Sequence, residues 1–190
     1  MNISTSATPV KDLWQEGLAT ALFSNEKPPR GIAGMVAWRL GGMISRFIAR
    51  GTMTGSFGET ILFHPDSPVL HQWKILLLGL GETHQLTRDR IYGTGWTIMR
   101  IMSHVGCRDF VCSVPGTGRC EFPVASMVDI FLSGMLDALS ETGESPGLET
   151  SVHLIDTPEN IDDVTAAVRE TTIRKPCAIS STSISMKEER

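Results

Sequence analysis

Apolar and polar positions fall in blocks along this chain, and the blocks switch between strand-like runs and stripes of helical period. Residues 18–23 (Leu18-Ala19-Thr20-Ala21-Leu22-Phe23) predict a buried strand, closed by the polar and proline-bearing stretch 24–29. From 31 to 50, Ile32, Met35, Val36, Leu40, Met43, Ile44 and Phe47 recur at helical spacing. Gly41-Gly42 interrupts that stripe and predicts a helix broken in two. Residues 60–63 and 74–79 read as further strands. Thr87 can cap a helix reaching about 105, with Ile91, Gly95, Ile98, Met99, Met102 and Val105 on one face and Gly106 ending it. A strand over 110–114 leads into a helix over 123–139, with Pro123 at its first position. Ser151 to Asp156 is the last strand; Thr157 caps a final helix that Pro158 begins, with Ile161, Val164 and Val168 facing inward. Strands alternating with helices predict an α/β sandwich with helices on both faces of a mixed, mostly parallel sheet.

Composition adds limits. The chain has 190 residues, 41% hydrophobic and 20% charged, which suits one domain with a real core. Residues 1–9 and the Ser-rich stretch 176–190 hold little to bury, so they predict a flexible N-terminal tail and a disordered C-terminal tail around a domain over 10–175. The net charge of −4 argues against nucleic acid as a general partner. Cys107, Cys112, Cys120 and Cys177 form no CxxC or metal spacing and fit a reducing cytoplasm. No secretory signal opens the chain, and its longest apolar run, 75–80, is too short to cross a bilayer, so the expected location is cytoplasmic with no membrane partner.

Chemistry concentrates after the strand at 110–114. Pro115-Gly116-Thr117-Gly118-Arg119 lies between a strand end and a helix start, where free backbone N–H groups suit a phosphate or other anion. Two readings stand for Gly116-Thr117-Gly118: an anion cradle, or a tight turn in which glycine supplies positive φ. Arg119 would contact a phosphate as a charged fork or sit solvated. Cys120 precedes a helix N-terminus, which lowers a thiol's pKa, but no base is identifiable beside it. Gly79-Leu80-Gly81 lies at another strand end and lacks the third glycine of a dinucleotide fingerprint. The five histidines are scattered without metal spacing, so no metal, cofactor or catalytic residue is expected. Trp38 and the Met-bearing faces read as core, with an exposed partner-binding pair as the alternative for Trp38-Arg39 and a subunit interface for the methionines.

The stretch from Leu22 to Phe63 resembles the non-catalytic N-terminal domain of the cytosol leucyl aminopeptidase family. The resemblance rests on Phe23, Gly31-Ile32-Ala33-Gly34, Trp38-Arg39-Leu40-Gly41-Gly42-Met43-Ile44-Ser45-Arg46, and Gly51 through Gly58-Glu59-Thr60. Leu78-Gly79-Leu80-Gly81 followed by Leu86-Thr87 continues it. Ala37 replaces the family's usual Asp, and Gly41-Gly42 its Asn-Gly. Nothing matches the family's zinc-site motif, so the resemblance implies no peptidase activity for this chain alone. It implies subunit interaction instead, through a homo-oligomer or a separate aminopeptidase-type catalytic partner.

That family's N-terminal domain is in turn similar to the macro domain, a three-layer α/β/α fold that binds ADP-ribose. Val114 to Pro123 is similar to the macro domain's second phosphate loop, and Ser24-Asn25 and Gly31 to Gly34 stand in for its other half. The resemblance therefore implies a cleft built from Asn25, Gly31, Gly34, Gly79, Gly81, Pro115, Gly116, Thr117, Gly118, Arg119 and Phe122. Its ligand would be an ADP-ribose-type nucleotide or another phosphate, bound or hydrolysed.

Overall fold

A computed structural model describes residues 1–9, 12–65, 71–72, 74–141, 149–175 and 179. Its six strands form one sheet in the order β1-β6-β5-β2-β4-β3, comprising β1 (Asn2–Ser6), β2 (Gly17–Leu22), β3 (Thr60–Phe63), β4 (Lys74–Gly79), β5 (Asp109–Cys112) and β6 (Ser151–Ile155). Every pairing is parallel except β3 with β4. Parallel strands buried on both faces must be apolar at successive positions, and β4 meets this with Ile75, Leu76, Leu77 and Leu78.

The period of two within those strands sorts the core into two layers. On one face, Leu18, Leu22, Ile75, Leu77 and Val111 pack against Ile32, Val36 and Ile44, from α1 (Gly31–Arg39) and α2 (Met43–Ala49). On the other, Ala19, Leu76, Phe110, Cys112 and Leu154 meet α3 (Arg88–His104), α4 (Val124–Glu141) and α5 (Ile161–Arg174). The result is the expected three-layer α/β/α architecture, with α1 and α2 separated at Gly41-Gly42. No single helix among the described residues is long and apolar enough to cross a membrane.

Three expectations are corrected. Residues 1–9 are not a loose tail, because Asn2–Ser6 pair in parallel with β6, with Ile3 opposite Val152 and buried. Backbone pairing, with only alternate side chains turned inward, supports that strand, so an apolar run is not needed. The final helix begins at Ile161 rather than Pro158, because 158–160 form a turn in which the Thr157 carbonyl accepts from the Asn160 and Ile161 N–H groups at 3.0 Å. Trp38 is 73% exposed rather than core. The buried stripe of α1 runs through Ile32, Ala33, Val36, Ala37 and Leu40, which leaves Met35 and Trp38 on the opposite side. The tail expected over 176–190 lies outside the described residues, except that Ile179 is buried against the α3–α5 layer.

The loop before β3 is pinned by one carboxylate. Glu59 accepts from the backbone N–H groups of Thr54, Gly55 and Ser56 and from the Thr54 hydroxyl. Burial alone pushes the Glu59 carboxyl up, but the Thr54 hydroxyl and these N–H groups together hold it below its ordinary value. A depressed folded-state pKa contributes stability above the ordinary carboxyl range and loses it as pH falls through the folded value. Glu59→Gln is therefore expected to destabilise the domain by about 1–2 kcal/mol near pH 7. Paired urea melts check this, and the gap from the parent should narrow as pH falls below the ordinary carboxyl range.

Candidate functional site

Parallel pairing brings three strand ends to one edge. Ala19 of β2 stands beside Cys112 of β5, and Cys112 stands beside Leu154 of β6. The segments leaving these strands therefore emerge together and enclose a cleft of about 230 Å³. The first segment contributes Phe23, Glu26, Arg30 and Gly31. The second contributes 113–119, and the third Asp156, Thr157, Glu159 and Asn160.

The second segment is a tight loop. Gly116 and Gly118 have φ of +83° and +69°, a region that favours glycine. The Gly116 carbonyl accepts from the Arg119 N–H at 2.9 Å, and the Thr117 hydroxyl donates to the Val114 carbonyl at 3.0 Å. Arg119 then crosses the cleft and donates through Nη1 to the Glu26 carboxylate in the first segment. In the third segment, Asp156 is buried and accepts from the Thr157 N–H at 2.7 Å and from Asn160 Nδ2 at 3.2 Å. The Thr157 hydroxyl, by hydrogen bonding to Glu159, holds that carboxyl below its ordinary value.

The structure gathers Gly31 and Pro115 to Arg119 in the cleft and leaves the other expected residues outside its lining. Asn25 instead accepts from the backbone N–H and hydroxyl of Thr83, which ties the first segment to the short 3₁₀ turn Thr83–Gln85. Gly34 lines a different groove, beside α1. Gly79 backs onto the Ser56 carbonyl, and Gly81 onto the Arg90 guanidinium. Phe122 packs against the α3–α5 core layer. Glu26, Asp156, Thr157, Glu159 and Asn160 were not legible as site residues. Their signal is the adjacency of β5 to both β2 and β6, which the linear sequence does not display.

No histidine or cysteine lines the cleft, and no cluster among the described residues could hold a metal ion. Cys120 lies just outside, its thiol donating to the Gly116 carbonyl at 3.4 Å and touching Met127 Sδ at 3.6 Å. The arrangement offers positioned dipoles and charges for binding.

Residues 24–145 match the N-terminal domain of the cytosol aminopeptidase family. The chain belongs to that family of domains. Comparison with curated proteins returned no match. Among solved structures, it is similar to the Trypanosoma brucei macrodomain in complex with ADP-ribose, at 20% identity and a TM-score of 0.67, covering 87% of this chain and 68% of that one. A mutant macrodomain from Oceanobacillus iheyensis shares 11% identity at a TM-score of 0.65, over 91% and 92% of the two chains. A mutant tomato leucine aminopeptidase shares 15% identity at 0.64, over 90% of this chain but 36% of the enzyme. These likenesses establish the fold.

Thiol chemistry provides a check on the site's packing. Burial pushes the Cys107 thiol up to about 12 and drives Cys112 up as well, whereas Cys120 is half-buried. Among these three, iodoacetamide at about pH 8 should label Cys120 at least roughly tenfold faster in the native protein. Peptide mapping by mass spectrometry reads the rates, and equal labelling would contradict the packing described.

Proposed function

We propose that this chain is a non-catalytic binding and assembly module, without peptidase activity of its own. The observation that carries the proposal is the exposed face of α1. Trp38 and Met35 stand on an apolar groove of about 940 Å³, walled by Pro9, Pro28, Pro29 and Gly34. Large apolar side chains gathered on one open surface mark a place where another protein docks. Arg30 and Arg39 line the groove, and the surrounding sequence is cationic. Lys27, Arg30, Arg39, Arg46 and Arg50 fall within 27–58, and that span holds no carboxylate. Arg39 lies over the Trp38 ring, 4.8 Å from its centroid. A second copy of the chain or a separate aminopeptidase-type catalytic subunit would fill such a face.

Light scattering after size-exclusion chromatography tests this reading. The parent chain should be oligomeric, or should co-elute with the catalytic subunit. Trp38→Ala should weaken that association by at least about 2 kcal/mol, roughly thirtyfold. Circular dichroism should show an unaltered fold, since an exposed side chain contributes little to stability. A monomer that binds no such partner would overturn the assembly reading. Hydrolysis of leucine amide by the pure chain with added zinc or manganese would overturn the non-peptidase reading.

A second reading is favoured by the cleft. Glycine turns of positive φ at the carboxyl ends of β2 and β5 form a concave place where backbone N–H groups suit phosphate oxygens. The similar Trypanosoma brucei structure holds ADP-ribose, which supports a nucleotide of that type as ligand here. Calorimetric titration with ADP-ribose should then show saturable binding, weakened at least about tenfold by Gly118→Glu, where a carboxylate meets the loop. The absence of heat or saturation in the parent chain would discard ADP-ribose as its ligand.

A further inference from the structure

The Arg119–Glu26 pair is not a surface salt bridge. The two side chains are only 22% and 14% exposed, and they join opposite walls of the cleft. Arg119 Nη2 lies 2.9 Å from where a β-carbon on Gly31 would stand. The guanidinium therefore rests on the bare backbone at the start of α1, in space that only glycine leaves open. With the pair in place the cleft measures about 230 Å³. Pockets that enclose a drug-sized ligand measure about 300–1,000 Å³. The other acidic groups of the lining are committed elsewhere: Asp156 to the Thr157 N–H and Asn160, and Glu159 to Thr157. Glu26 is thus the carboxylate that occupies the Arg119 guanidinium.

We propose that Glu26 is a built-in competitor for the anion that Arg119 receives, so that the cleft opens only to a ligand able to displace a carboxylate. This deepens the second reading above, and rests on the cleft taking a phosphate-bearing ligand. A carboxylate and a phosphate present the same oxygen geometry to a guanidinium fork, so one can replace the other. A diphosphate has the greater charge and more acceptor oxygens, and it can also draw on the N–H groups of the glycine loop. A singly charged anion gains less from the exchange. The pair would thus act as a filter on ligand charge as well as a closure. Once displaced, Glu26 would free the first segment and join the cleft to the space beside α1, since Arg30 and Gly31 wall both.

Inorganic pyrophosphate is the probe, titrated calorimetrically into the parent chain, Glu26→Gln and Arg119→Gln. Glu26→Gln should bind at least about tenfold more tightly than the parent, because the competitor's charge is gone, and Arg119→Gln should bind most weakly. Glu26→Asp, with its carboxylate drawn back by one methylene, should fall between the parent and Glu26→Gln. Thermal melts establish that each variant is folded, and pyrophosphate should raise the Tm of Glu26→Gln more than that of the parent. Equal or weaker binding by Glu26→Gln overturns the competitor, and the cleft reading survives that result if ADP-ribose or pyrophosphate still binds the parent. If none of the three proteins binds either ligand, the cleft reading falls, and the competitor with it.

Discussion

The constraint on which everything else rests is the placement of β2 between β4 and β5, parallel to both. A strand buried on two faces and hydrogen-bonded on two edges has little freedom of register, because a slip of one residue exchanges its faces. Leu18 belongs to the α1–α2 layer and Ala19 to the α3–α5 layer. A shifted β2 would drive a leucine into the place of an alanine. That register aligns Ala19 with Leu76 and Cys112 and brings the ends of β2 and β5 to a common edge. The place of the cleft in the fold is therefore set by core packing.

Much of this architecture was legible in the residues. Runs such as Ile75-Leu76-Leu77-Leu78 announce buried parallel strands, and Thr87 accepts from the Arg90 N–H as a cap should. The Gly41-Gly42 break between α1 and α2 was equally plain. Legibility ended where structure depends on distant partners. The β1 strand has Ile3 as its one large apolar residue and exists through its pairing with β6. The exposure of Trp38 could not be inferred from helical spacing, because α1 has more apolar positions than one side of the sheet can cover. In the cleft, the glycine loop announced itself locally, as backbone-driven features do. Glu26 did not, since its partner Arg119 is far away in sequence, and Asp156 did not, since it reaches the cleft only through the pairing of β6 with β5.

The two concave surfaces differ in kind. The cleft is small and braced from within by the Arg119–Glu26 pair. The groove beside α1 is larger and apolar, and its aromatic group points into solvent. Self-satisfied charge resists opportunistic ligands, because any newcomer must outcompete an existing partner as well as shed its own water. Exposed apolar area does the opposite and gains from almost any dry contact. One molecule thus combines a discriminating surface with a permissive one on adjoining walls.

The distribution of charge has a kinetic consequence. The cationic span 27–58 sits on a chain whose total charge is −4, so the molecule is electrically lopsided. A lopsided molecule is turned by the field of an approaching partner before contact is made, over a distance of about 8 Å at physiological ionic strength. An anionic partner would arrive preferentially at the α1–α2 side, where Arg30 also borders the cleft. Orientation would then be set during approach rather than searched for after collision, making the speed of encounter, more than its final strength, the property that added salt erodes.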